Sequence, residues 1–139
     1  MKTTSESKLS KADEFIQPSQ FEINVATKYI EAQSRPLEKQ FVFAYTVRII
    51  NKGTTTAQLL RRHWIITDAN GETLEVRGDG VIGEQPWIEP GTKYEYTSGT
   101  VLHEFMGCMH GSFTMCGEDG IEFDAPIPVF TLAQHDKLH

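Results

Sequence analysis

Gly78, Gly80 and Gly83 have the spacing of a dinucleotide-phosphate loop. That chemistry needs the loop to open a helix, whose first amides hold the pyrophosphate. Pro86 and Pro90 follow and block a helix. Asp79 and Glu84 place negative charge where phosphate would lie. The segment therefore reads as shaped backbone, in which glycine permits close approach or positive φ. Arg62, expected to point inward at the end of an adjacent strand, is expected to pair with the Glu84 carboxylate. A desolvated pair of that kind fixes a loop's shape more than it adds stability. The competing reading of the same residues is a phosphate nest helped by Arg61 or Arg77, able to hold a polyphosphate nucleotide.

A second group of reactive side chains lies between His103 and Cys116: Met106, Cys108, Met109, His110 and Met115 are soft ligands suited in principle to copper or zinc. On a strand, Cys108 and His110 share a face and could chelate, whereas Met109 and Met115 fall on the apolar face. Paired zinc-type spacing is absent, and no Asp-rich loop offers a hard-cation site. The expectation is no metal site and no cofactor. Neither Cys108 nor Cys116 sits in an activating motif. No catalytic residue is assigned, and the chain reads as a non-enzyme. His63 is expected beside Arg77 across a hairpin, as a neutral hydrogen-bonding group.

These residues must be positioned by a single core, because 139 residues make one domain. With 39% hydrophobic residues and 11 glycines the chain can fold, and no stretch reaches membrane-span length. A net charge of −6 gives no global basic footprint for nucleic acid. Two cysteines make no disulfide framework, which fits a cytoplasmic location. Residues 1–17 are polar and read as a mobile lead-in, 18–134 as the domain, and 135–139 as a tail.

Phe21 to Tyr29 reads as a strand with a competing helical spacing, and Phe41 to Ile50 as the clearest strand. Leu59 to Asp68 and Glu72 to Arg77 form a hairpin. A three-residue loop with Gly71 left-handed pairs Ile66 with Leu74 and Trp64 with Val76, giving one dry face. It also sets Arg61 opposite Asp79 and His63 opposite Arg77. Further strands are expected at 93–102, at 105–116 and around Ile121 and Phe123. Pro126 and Pro128 confine the last run, Ile127 to Leu132, to an edge or bent strand. The pattern predicts an all-β antiparallel sandwich of immunoglobulin or fibronectin type III kind.

Ile88-Glu89-Pro90-Gly91-Thr92-Lys93-Tyr94 resembles the tyrosine corner of fibronectin type III domains, with Tyr94 as the bonded tyrosine and Trp64 as the core tryptophan. Arg62-His63-Trp64, Asp68-Ala69-Asn70-Gly71 and Gly78 through Pro86 resemble the ApaG family. Pro90-Gly91, Tyr96-Thr97-Ser98-Gly99, Gly107, Met109, Gly111, Met115 and Ile127-Pro128-Val129-Phe130 extend that likeness over residues 20–132. The resemblance implies a fibronectin-like sandwich and no enzymatic activity to carry over. It also implies a link to the name CorD, with cobalt resistance and magnesium efflux, and an interaction role like that of relatives in F-box and polymerase-delta-interacting proteins. The sequence departs from the family at Ala57, Arg61 and His103-Glu104-Phe105. The surface expected to bind a protein partner comprises Arg62, His63, Gly78, Gly80, Val81, Ile82, Gly83, Glu84, Gln85 and Pro86, with Val81 and Ile82 as apolar contacts. Divalent-metal or nucleotide binding is the alternative. Open sandwich edges also suit a homodimer.

Overall fold

The protein is described by a computed structural model covering residues 20–134. The expectations for segments 1–17 and 135–139 lie outside these described residues. Eight strands form: β1 Phe21–Tyr29, β2 Phe41–Asn51, β3 Ala57–Asp68, β4 Thr73–Asp79, β5 Trp87–Ile88, β6 Lys93–Leu102, β7 Met106–Gly117 and β8 Glu122–Ala133. Among the described residues no helix is long and apolar enough to cross a membrane. One sheet runs β1-β2-β6; the other runs β4-β3-β7-β8, with the short β5 added to β3. Every pairing is antiparallel.

Period-two alternation puts Phe41, Phe43, Tyr45, Val47 and Ile49 on the inner face of β2, where all are buried. They meet Trp64, Met109, Phe113 and Met115 from the other sheet. Trp64 sits between Tyr45, Phe113 and Phe130 with ring centroids 5.5 to 6.2 Å away, all edge-to-face. The strand reading of Phe21 to Tyr29 holds: the segment pairs with β2 along its full length. The β3–β4 register is the expected one, Ile66 against Leu74 and Trp64 against Val76, and Gly71 has φ 82°. Its face is not dry throughout, because Leu74 is 60% exposed at the sheet edge. The separate runs expected near Ile121 and Ile127 merge into β8, an edge strand whose register against β7 shifts beside Pro128.

The tyrosine corner is a correction. Tyr94 is half-buried, and its hydroxyl makes no hydrogen bond among the described residues. The residue that ties this corner is Asn51, fully buried at the end of β2. Its amide nitrogen donates to the carbonyls of Thr55 and Ile88 at 2.8 and 2.9 Å, and its side-chain oxygen accepts from the Gly53 amide at 2.9 Å. Its backbone accepts from Gly91 and donates to Thr92. Aspartate has the same shape but no N–H to give those carbonyls. Asn51→Asp is therefore expected to cost about 2–4 kcal/mol at pH 7, as Asn51→Ala does. Urea denaturation measures both, and a wild-type midpoint for Asn51→Asp contradicts this role.

Candidate functional site

The register between β3 and β7 slips by one residue between Leu59 and Arg61, so Leu60 is the extra residue of a β-bulge. The bulge reverses the alternation. Leu59 faces the core before it; Arg62, Trp64 and Ile66 face inward after it. It also releases the Leu60 carbonyl from the ladder. That oxygen accepts the Gly80 amide at 2.7 Å and the Gln85 side-chain amide at 2.9 Å. Gln58 donates back to the Gln85 carbonyl at 3.0 Å, and the Leu59 amide donates to Pro86. Residues 78–86 are thus laced to the bulge rather than hanging from the sheet.

Arg62 completes the lacing by a route that corrects the sequence expectation. One terminal nitrogen, Nη1, donates to the carbonyls of Asp79 and Gly80, both at 2.9 Å. Glu84 is exposed and forms no ion pair with Arg62. Nη1 is satisfied by these backbone carbonyls, whose partial negative charge holds the guanidinium without a desolvated carboxylate.

The three glycines have three separate causes. A Cβ on Gly78 would lie 2.7 Å from the Arg62 guanidinium, so only glycine lets that plane settle against the backbone. A Cβ on Gly80, at φ 60°, would collide with the Glu84 carbonyl. Gly83, at φ 74°, opens onto solvent and is needed for its conformation alone. Val81 and Glu84 exchange both backbone hydrogen bonds, at 2.8 and 2.9 Å. Ile82 and Gly83 between them both have positive φ, so the tip is a two-residue type I′ turn, which favours glycine or asparagine.

The apolar pair at this tip divides. Val81 is 1% exposed and belongs to the core, which corrects its expected place on the surface. Ile82 is 58% exposed at φ 50°. A β-branched residue there costs of order 1–2 kcal/mol, while more than half of its surface stays in solvent.

Arg62 and His63 do not share a surface, since neighbours in a strand point to opposite faces. His63 lies on the outer face of the larger sheet, with Nε2 2.6 Å from Glu75. Arg77 reaches the same carboxylate oxygen at 3.2 Å. The His63 bond and the Arg77 charge lower the Glu75 pKa. On the inner side, Arg62 borders a cleft of about 440 Å³ with Tyr45, Tyr96, Ser98, Asp79 and Ile82. The Tyr96 hydroxyl is buried without a hydrogen-bond partner among the described residues, a state that costs about 1–3 kcal/mol. Burial raises the pKa of Tyr96, reinforced by Tyr45 and partly offset by Arg62. Tyr45 is raised for the same first reason, offset by Ser98 and Arg62. Both phenols are neutral donors at pH 7.

Tyr45, Tyr96 and Ser98 were not candidates from sequence, because phenols at strand spacing read as core. The bulge did leave a signal: Leu59 and Trp64 both read as core but differ in parity. Cys108 and His110 do share the outer face of β7, half-buried, and no cluster of three or more His, Cys, Asp or Glu that could hold a metal forms among the described residues.

The fold and this site define a small antiparallel β-sandwich carrying a braced hairpin beside a polar cleft. A family profile described as the ApaG domain matches residues 31–117, and the chain belongs to the ApaG family. It is 57% identical over 120 residues to Protein ApaG of Pseudomonas paraeruginosa, covering 86% of this chain and 95% of that one. Against Protein ApaG of an Azoarcus species the identity is 51% over 118 residues, or 85% and 93% of the two chains. A crystal structure from Bordetella pertussis, described as an ApaA protein, superposes with TM-score 0.79 at 49% identity, covering 81% of this chain and 92% of that one. A further X-ray structure gives 0.83 at 50% identity, over 88% and 92%.

If Arg62 braces the loop through carbonyls, Arg62→Met is expected to lose about 1.5–3 kcal/mol, while Glu84→Gln stays within about 0.5 kcal/mol of wild type. Thermal or urea unfolding of the two variants decides between this geometry and an Arg62–Glu84 pair, which requires both to fall.

Proposed function

We propose that this ApaG domain is a non-catalytic binding module that docks a protein partner on the Gly78–Pro86 hairpin. The observation that carries the reading is Ile82. Glycine or asparagine would relieve the turn, yet an isoleucine stands there with most of its side chain in solvent. Strain retained at an exposed apolar tip has a use when a partner buries that tip. The lacing to Leu60, Gln58 and Arg62 supports the same reading, because a pre-shaped loop loses little entropy on binding. Gly78, Gly80, Gly83 and Arg62 set the shape; Ile82, Gln85 and the exposed Glu84 supply the contact surface. His63, on the opposite face, is not part of it. Divalent-metal binding has no comparable support, and nucleotide binding lacks a helix N-terminus.

Ile82→Asn separates strain from use. It is expected to stabilise the free domain by about 1 kcal/mol in urea denaturation, and to abolish retention of proteins that the immobilised wild-type domain holds from a cell extract. A more stable variant with an unchanged set of retained proteins contradicts the docking role.

A further inference from the structure

The sandwich closes on one side, where β1 packs beside β8 and Phe21 stacks on Phe123. On the other, the edge strands β4 and β6 leave an opening, and the Arg62 cleft lies in it, next to Ile82. Four properties of this cleft fix the chemistry of an occupant. First, Arg62 uses only Nη1 for the loop; Nε and Nη2 have no acceptor among the described residues. Second, Tyr96 is 8% exposed and lines the cleft, and its buried hydroxyl has no hydrogen-bond partner among the described residues. Third, Arg62, Tyr45 and Tyr96 line the same cleft, so a guanidinium and two phenol side chains converge there. Fourth, Asp79 borders the same space, and Glu84 stands exposed on the hairpin that forms its wall.

Converging donors around one fixed cation call for an anion with two acceptor oxygens. The nearby carboxylates penalise each added negative charge, which favours a monoanionic carboxylate over a phosphate dianion. A free small acid would have no use for Ile82, whereas a polypeptide covers both. We propose that the cleft receives the carboxylate of an aspartate or glutamate side chain from the docked partner, which sets an apolar residue on Ile82. This rests on the docking reading and names the partner's chemistry. The Tyr96 hydroxyl is closed to water in the free domain, so the cleft has to widen on binding for the carboxylate to reach it.

The test is a ¹⁵N NMR titration of the full chain with N-acetyl-L-glutamic acid α-amide, whose only charge is the side-chain carboxylate. Expected are saturable shifts at Gly80, Ile82 and Gly83 and at the Arg62 Nε–H. Affinity should fall at least tenfold for the neutral glutamine analogue and for inorganic phosphate. Tyr96→Phe should weaken the probe at least threefold without lowering stability, because it removes a donor that has no partner in the free protein. Equal or tighter binding of phosphate, equal binding of the glutamine analogue, or no effect of Tyr96→Phe overturns the proposal. Tighter binding of N-acetyl-leucine, with its free α-carboxylate, overturns it too by assigning the cleft to chain ends. Any of these results alongside continued dependence of partner capture on Ile82 leaves the docking surface standing. Loss of that dependence removes the docking surface itself.

Discussion

Everything distinctive about the 78–86 segment depends on one guanidinium bonded to two consecutive backbone carbonyls. Arg62 is carried on a strand of the larger sheet, and the Asp79 and Gly80 oxygens it holds belong to the chain leaving the next strand. That contact requires Gly78 to lack a side chain, since the guanidinium occupies the space of a Cβ. It fits with the Gly80 amide pointing at the Leu60 carbonyl, which the bulge has released. The hairpin can then close in two residues, leaving Ile82 outside and Val81 inside. Loop, cleft and exposed tip are consequences of that placement.

A bulge next to a binding surface is a recurrent device, because one inserted residue re-aims every side chain beyond it. Here it sends an arginine into the side of a sandwich where alternation alone would put it in solvent. The charge stays tolerable there because the cleft is open and the carbonyls solvate it. The same arginine lies within electrostatic reach of two phenols whose pKa values burial raises. Binding surface and core thus share a boundary at Tyr45 and Tyr96, which pack against Trp64 and Phe113 on one side and face the cleft on the other.

Much of the scaffold was legible in the residues. Alternating apolar positions in Phe41–Ile49 and the Asn70-Gly71 signal identified strands and a hairpin register that the structure reproduces. Period-two burial depends only on nearest neighbours, so sequence can carry it. What sequence could not carry was the partner of each polar group. Charge matches Arg62 to Glu84, yet backbone carbonyls hold it, and carbonyls are invisible in a list of side chains. Val81 and Ile82 looked alike, but a turn of type I′ separates them onto opposite sides. Asn51 is a buried hub that its local sequence does not announce, because its bonds reach segments distant along the chain. Strand neighbours also face apart, which divides Arg62 from His63.

Amide hydrogen exchange at Gly80 tests the bracing most directly. Its N–H is bonded to Leu60, and Arg62 holds the adjoining carbonyls. Protection of the Gly80 and Glu84 amides in the wild-type protein is expected to disappear in Arg62→Met, with the amides of Phe43 and Val47 in the core exchanging as slowly as before. Free exchange of Gly80 in the wild type, or protection indifferent to the loss of Arg62, contradicts the account.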